Sequence, residues 1–383
     1  MIYLDNSATT PLCEAAKASI IDSIERFGNP SSVHFLGVQA KRALEAARSD
    51  ILASLGIRAL NTHRVIFTAC GTESDNLAIF GVLNAKSFRQ KPRFITTDSE
   101  HSAILAPLEH LEKKGDIELV KLSTKGGRLD LTELDKALTP NTALVSIMCV
   151  NNETGAIYDV KTAFALAKRK VSSVLTHTDF TQAYLKTEIT AASVGADMIT
   201  VSGHKINAPK GVGALIVSEK VIKEKKLVPT LLGGGQERGY RSGTENMIGI
   251  CAFAAAAKAV KGAEFKAFAN DLRRVFVDAL DPRIVVNTPE RFAPHIISIT
   301  MPGVLASHAV NALSEKEICV SVGSACSSNG GHQSTALENF GLDKTAAGST
   351  VRVSIGTQNT KEEMMSAAQA VNAVYCDLLS VFA

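Results

Sequence analysis

Two apolar stretches of this chain end in polar clusters whose chemistry is complementary. One is Thr178-Asp179-Phe180-Thr181-Gln182, and the other, after Met198-Ile199-Thr200-Val201, is Ser202-Gly203-His204-Lys205. A lysine amine can form a Schiff base with an aldehyde, a carboxylate can keep a pyridine nitrogen protonated, and a serine and a histidine can donate to a phosphate. Lys205, Asp179 and the Ser202/His204 pair therefore match what pyridoxal phosphate requires. Taken singly, Lys205 reads as a surface lysine after a buried strand and Asp179 as a helix cap.

Four further clusters bear on the same chemistry. Phe67 to Asn76 has the form strand, glycine turn, helix start, so the backbone N–H groups of Gly71 and Thr72 form a phosphate seat at the positive end of a helix. The plainer reading is a capped helix with Thr72 as N-cap and Asp75 three residues on. Ser99-Glu100-His101 follows the apolar run Phe94 to Thr96, which brings His101 to the same sheet edge, where it could stack on a cofactor ring and relay a proton; the plainer reading is a hydrogen-bonded structural histidine. Asn151-Asn152-Glu153-Thr154-Gly155 is explained by a turn or by ligand contact. Arg352, in the alternating run Ser349 to Ser354, can grip a carboxylate with two parallel hydrogen bonds or form a rim ion pair.

These residues must be positioned by the elements around them. Helical stretches, among them Lys41 to Leu55 and Leu131 to Ala137, alternate with seven apolar runs: Val65 to Phe67, Arg93 to Thr96, Ile117 to Val120, Leu144 to Val150, Ser173 to Thr176, Met198 to Val201 and Ala214 to Val217. The pattern predicts a mainly parallel seven-stranded sheet covered on both faces, with ligands at the carboxyl ends of its strands. The Ala-rich run Ile250 to Val260 leads out of this domain as a helix. From Ile284 the chain resumes as a smaller α+β unit ending in a helix from Lys361 to Leu379. The expected division is a large cofactor-binding domain over residues 15–255 and a small domain made of 1–14 and 256–383.

At 383 residues and a net charge of +3, the chain has no basic, aromatic-interleaved run of the kind that binds nucleic acid directly. Met1-Ile2-Tyr3-Leu4-Asp5 is no charged-then-apolar leader and no stretch is long enough to span a membrane, so the expected location is the cytoplasm. The seven cysteines are an odd set without CxxC spacing, which argues against a disulfide framework and a zinc site. Most are expected to be small buried residues, Cys149 in a strand and Cys376 on the last helix. Cys326 differs: Gly323-Ser324-Ala325 before it and Ser327-Ser328-Asn329-Gly330-Gly331 after it give the thiol a mobile, exposed setting.

With these residues in hand, the chain resembles the cysteine desulfurases of the NifS/IscS-like branch, in the class V aminotransferase group of fold-type I pyridoxal-phosphate enzymes. The resemblance runs through Tyr3 to Pro11, Gly28-Asn29-Pro30-Ser31-Ser32, Gly71 to Asn76, Ser202 to Lys205, Arg241-Ser242-Gly243-Thr244, Gly323 to Cys326 and Arg352. It implies that Lys205 carries the cofactor, Asp179 meets the ring nitrogen, Gln182 the phenolic oxygen, and His101 stacks on the ring. Gly71, Thr72, Ser202 and His204 would hold the phosphate, joined by Thr244 from the second subunit of a homodimer, while Asn152 and Arg352 would orient the L-cysteine carboxylate. Cys326, on a loop spanning about 322–335, would take the sulfur as a persulfide, releasing L-alanine. An acceptor protein would then receive it for iron–sulfur assembly or tRNA thiolation.

One departure from the family pattern lies at the site itself. The residue after Asp179, a small alanine in the family, sits against the ring there, and the much larger Phe180 would alter the local fit. A plain class V aminotransferase or a selenocysteine lyase would share Lys205, Asp179 and Arg352 but would not need Cys326. A degenerate paralogue without catalysis would need neither Lys205 nor Cys326.

Overall fold

The computed structural model describes residues 1–59, 61–86, 88–323 and 335–382. Cys326 lies outside the described residues. The strands are β1 (Ile2–Tyr3), β2 (His63–Thr68), β3 (Arg93–Thr97), β4 (Glu118–Leu122), β5 (Thr142–Ser146), β6 (Leu175–Asp179), β7 (Met198–Ser202), β8 (Gly213–Ser218), β9 (Val285–Val286), β10 (Ile296–Thr300), β11 (Ile318–Cys319), β12 (Ser321–Val322) and β13 (Thr350–Ser354).

Strands β2 to β8 form a seven-stranded sheet in the order β2-β8-β7-β6-β5-β3-β4, as the alternation of runs predicts. Its central pairings are parallel. Strand β8 alone runs antiparallel, to both β2 and β7. The connection from β7 to β8 contains only a short 3-10 turn, Gly203–Lys205, and is too short for a helical crossover, so the chain must return beside the strand it left.

Alternation along each strand divides the sheet between two cores. Val65, Phe67, Ile95, Val145, Ile199, Val201 and Ile216 face a cluster that includes Leu44, Ile51 and Phe253 of the helices Phe35–Ser54 and Met247–Ala259. Their neighbours Ile66, Phe94, Leu144, Met198, Leu215 and Val217 face Leu77, Ile79, Ile104 and Leu108, from Gly71–Leu83 and Ser102–Lys114. The third core gathers Leu4, Phe276, Ile297, Ile299, Val351, Val353 and Val371 around the four-stranded sheet β12-β13-β10-β9, which is antiparallel throughout.

Some sequence expectations shift in detail. Strand β5 stops at Ser146, so Cys149 is fully buried beyond the strand rather than within it. The helix expected from Lys41 already begins at Phe35, because His34 caps it by accepting from the N–H of Gly37. Cys376 is exposed beside Arg283, since Met364, Val371 and Tyr375 define the inward face of the last helix. Among the described cysteines only Cys149 is buried, which corrects the expectation that most are core residues.

Candidate active site

Parallel pairing explains why the site forms where it does. Asp179 is the last residue of β6 and lies opposite Thr200 of β7, so both strands finish at one sheet edge. Two residues past Thr200 the chain leaves β7 at Ser202 and curls through Gly203–Lys205, which carries Lys205 back over that edge. A cavity of about 230 Å³ opens there. Its walls include ten of the residues singled out from the sequence: Gly71, Thr72, His101, Asn152, Asp179, Gln182, Ser202, His204, Lys205 and Arg352. Thr244 is not among them; it is exposed on a separate cleft with Glu237 and Arg241.

Lys205 Nζ donates to the backbone carbonyls of Ser7 and Ala8, at 2.6 and 2.7 Å. The N-terminal segment thus forms a wall of the cavity, a role that nothing in its own composition announces. Asp179 Oδ1 accepts from the N–H of Thr181 at 2.9 Å, which fixes the carboxylate at the cavity floor. Phe180 does not reach the cavity. It is 1% exposed and belongs to the core that faces Phe253, while Thr181 lines the wall instead. The expectation of a bulky ring against the cofactor is therefore corrected: beyond the end of β6, the side chain after Asp179 points into the core, away from the ligand side.

The helix Gly71–Leu83 is capped by Cys70 rather than by Thr72, so Gly71 and Thr72 are its first two residues and their N–H groups have no intrahelical acceptor. Ser202 Oγ, beside them, is buried without a hydrogen-bond partner among the described residues. A Cβ at Gly71 would stand 3.4 Å from Ser202 Cβ and 3.6 Å from Thr181 Oγ1, filling the cradle between them. Orphaned donors at a helix N-terminus, with space kept open by glycine, are the features a phosphate monoester needs. With Lys205 and Asp179 in the same cavity, the residues present fit pyridoxal phosphate.

His101 caps the helix Ser102–Lys114, its Nδ1 accepting from the N–H of Ala103 at 3.1 Å. Burial lowers its pKa, and the accepting Nδ1 leaves the proton of the neutral ring on Nε2. His204 is held by Thr9 Oγ1 at 3.2 Å, and its pKa falls to about 4 through burial and then the nearby Lys205. Next to His101, Glu100 accepts from the N–H of Met148 and from Thr97 Oγ1, yet burial pushes its pKa up to about 8.

The Asn151/Asn152 pair divides its work. Asn151 is the turn former, its Oδ1 accepting from the N–H groups of Glu153 and Thr154, whereas Asn152 lines the cavity and offers its carbonyl to Arg352 Nη1 at 2.9 Å. Arg352 is 2% exposed; Nη2 donates to Asp5 Oδ1, and Nε is buried without a partner among the described residues. A buried guanidinium with one unmet donor at a cavity wall is suited to an anionic ligand.

Several contributors escaped the sequence reading. Asp5, Ser7 and Ala8 act through contacts hundreds of residues away in the chain. Asp75 also lines the cavity, with its pKa raised well above the carboxylate range by burial and then by Asp179. Beneath it His177 is fully buried between Ser146 and Thr200, its pKa pushed down to about 3 by burial. Asp75 had a legible signal: it falls four residues after Gly71 in one helix, which places both on one face.

The family model described as aminotransferase class-V matches residues 2–366. A curated relative, cysteine desulfurase 2 of Trichormus variabilis, is 36% identical over 95% of this chain and 90% of its own. A solved structure titled as a NifS-like protein superposes with a TM-score of 0.89 at 31% identity, covering 98% of this chain and all of the other. Another, SspA in complex with cysteine, gives a TM-score of 0.81 at 28% identity over 93% of this chain and 99% of its own.

Proposed function

Since the chain belongs to the class-V aminotransferase family, we propose that it is a pyridoxal-phosphate-dependent cysteine desulfurase, taking sulfur from L-cysteine, releasing L-alanine and holding the sulfur as a persulfide on Cys326. The observation that carries this reading is the convergence of Lys205, Asp179 and Arg352 on one cavity, with the described flanks of the Cys326 segment held nearby in the fold. On one side Ser321 of β12 pairs with Arg352 of β13; on the other, Asn339 Nδ2 donates to the carbonyl of Asp98, close to the His101 turn.

Pyridoxal phosphate, when bound, supplies an electron sink for the substrate α-carbon. The chain's own groups do the rest. Lys205 would be the attachment point, and its amine is the group that would move the α-proton. Asp179 would meet the pyridine nitrogen, while Gly71, Thr72, Ser202 and His204 would hold the phosphate. Neutral His101 would stack over the ring, with the proton on Nε2 available for transfer. Arg352 takes the substrate carboxylate with its unmet donor, beside Asn152. The Cys326 thiolate then attacks the substrate sulfur: the S–S bond forms as the C–S bond breaks, the electron pair of that bond stays with carbon, and carbon gains a proton to give alanine. No external oxidant or reductant is required.

The site is completed by a second copy of the chain. Phe27, Val33, Phe35 and Leu232 are large apolar side chains at 70% exposure or more, too many for a monomer surface, and Leu231, next to Leu232, accepts from the N–H of Ser242 in the loop of Thr244. Arg241 of that loop is pinned to Glu73 at the start of the phosphate-seat helix. Thr244, which does not line its own cavity, would serve the partner's. The persulfide passes to an acceptor protein in iron–sulfur cluster assembly or tRNA thiolation. Among the described residues no helix is long and apolar enough to cross a membrane, and the proposed setting is the cytoplasm.

The test uses the purified protein: its visible spectrum, then L-cysteine with assays of alanine and of persulfide on Cys326. A yellow protein giving both products supports the reading. With Cys326→Ala the colour should persist and persulfide vanish; with Lys205→Ala the lysine-linked band should be lost. Undiminished desulfuration by Cys326→Ala would sink the mechanism.

A further inference from the structure

Behind the cavity lies a lysine that the mechanism above does not use. Lys186 is 6% exposed, and the charged groups that bear on it among the described residues, Lys205 and Arg352, include no carboxylate. Burying an amine without a counter-charge is costly, so its presence calls for a specific contact. That contact is with Gln182: Lys186 Nζ donates to Gln182 Oε1 at 3.0 Å. Leu185, immediately before, sits at φ 56°, in the left-handed region that a bulky side chain rarely adopts.

Gln182 is held from both ends. Its Nε2 donates at 2.9 Å to the carbonyl of Ser7, the same oxygen that accepts from Lys205. A carbonyl only accepts, so the amide must turn Nε2 towards Ser7 and Oε1 towards Lys186. Nε2 carries a second hydrogen, and Gln182 lines the cavity. The pair of contacts therefore selects the amide rotamer that offers N–H, not C=O, at the cavity wall.

Resting on the desulfurase reading, we propose that Lys186 is a positioning residue, which locks the Gln182 carboxamide as a donor towards the bound cofactor and ties it to the Ser7 carbonyl that also holds Lys205. Without the lysine, Oε1 loses its buried donor and the amide is free to rotate. A donor aimed at the phenolate oxygen of the cofactor stabilises the deprotonated form and keeps the titration of the visible band at lower pH. Other titratable groups facing this region are Lys205, His204 and His295, together with Asp75, His101 and Asp179 on the cavity wall and Arg352 as a fixed cation, and they are common to wild type and variant.

The experiment is a pH titration of the visible band in the cofactor-loaded protein, for wild type, Lys186→Met, Gln182→Ala and the double variant. Lys186→Met should move the midpoint upward by about one pH unit, Gln182→Ala should move it the same way, and the double variant should move it no further than Gln182→Ala alone. Lys186→Arg, which restores a donor, should recover part of the shift. If Lys186→Met does not fold, Lys186→Gln, one bond too short to reach, should show the same shift. A Lys186→Met protein that titrates like wild type overturns the proposal, whether or not Gln182→Ala shifts. A wild-type protein that stays colourless after incubation with pyridoxal phosphate overturns the desulfurase reading and this inference with it.

Discussion

Arg352 Nη2 donates to Asp5 Oδ1 at 2.9 Å, tying the last strand of the smaller sheet to the N-terminal segment that also supplies two acceptors to Lys205. The guanidinium uses one nitrogen on Asp5 and another on the Asn152 carbonyl, and Nε is unmet among the described residues. A lysine cannot divide itself among three acceptors in this planar arrangement. Arg352→Lys should therefore lower kcat/KM for L-cysteine about 100-fold, roughly 2.7 kcal/mol, mostly through KM, while the cofactor band stays. Steady-state kinetics settle it; an unchanged kcat/KM would remove Arg352 from the substrate site.

Phe180 marks the boundary between site and core. Because it packs in the core and is 1% exposed, Phe180→Ala should cost about 3–5 kcal/mol of stability through cavity formation. The visible band of the bound cofactor should be little changed. Denaturant unfolding and absorption spectra check the two halves separately; a large spectral change with unaltered stability would place Phe180 at the ring after all.

Glu100 makes stability depend on pH in a direction opposite to an ordinary carboxylate. Its folded pKa of about 8 lies above the unfolded value near 4.3, so between these limits the folded state holds a proton that the unfolded state has released. Its stabilising contribution is complete below the unfolded pKa and is lost as pH rises through the window. His177 works the other way, its folded pKa of about 3 causing stability to be lost as pH falls below about 6.5. Between pH 6.5 and 8 the Glu100 effect stands clear of His177. Glu100→Gln, which keeps an acceptor for the Met148 N–H, should lose less stability than wild type from pH 6.5 to 8 in thermal melts. Parallel curves would refute the assignment.

The apolar surface around Phe35 and Leu232 should disappear on dimerisation. Phe35→Glu with Leu232→Glu should shift sedimentation from dimer to monomer and weaken cofactor retention, since Thr244 would no longer reach a second cavity. A wild-type monomer at micromolar concentration would refute the shared site.

The chemistry of this protein was legible wherever it followed from local pattern. Short apolar runs between helical stretches marked the seven strands, the parallel connections placed their carboxyl ends together, and the polar residues at or just past those ends, Asp179, Lys205, His101 and Gly71, proved to share one cavity. Tertiary structure alone decided what held them. Ser7 meets Lys205 across 198 positions and Asp5 meets Arg352 across 347, separations that no periodicity encodes. It also decided which way equivalent-looking residues face: Phe180 into the core and Thr181 to the cavity, Asn151 into its turn and Asn152 to the wall, Lys186 inward against Gln182. A side chain's direction past the end of a strand depends on backbone geometry that only the packed fold imposes, and burial, which sets the pKa values of Glu100 and His177, exists only once distant segments have closed over them.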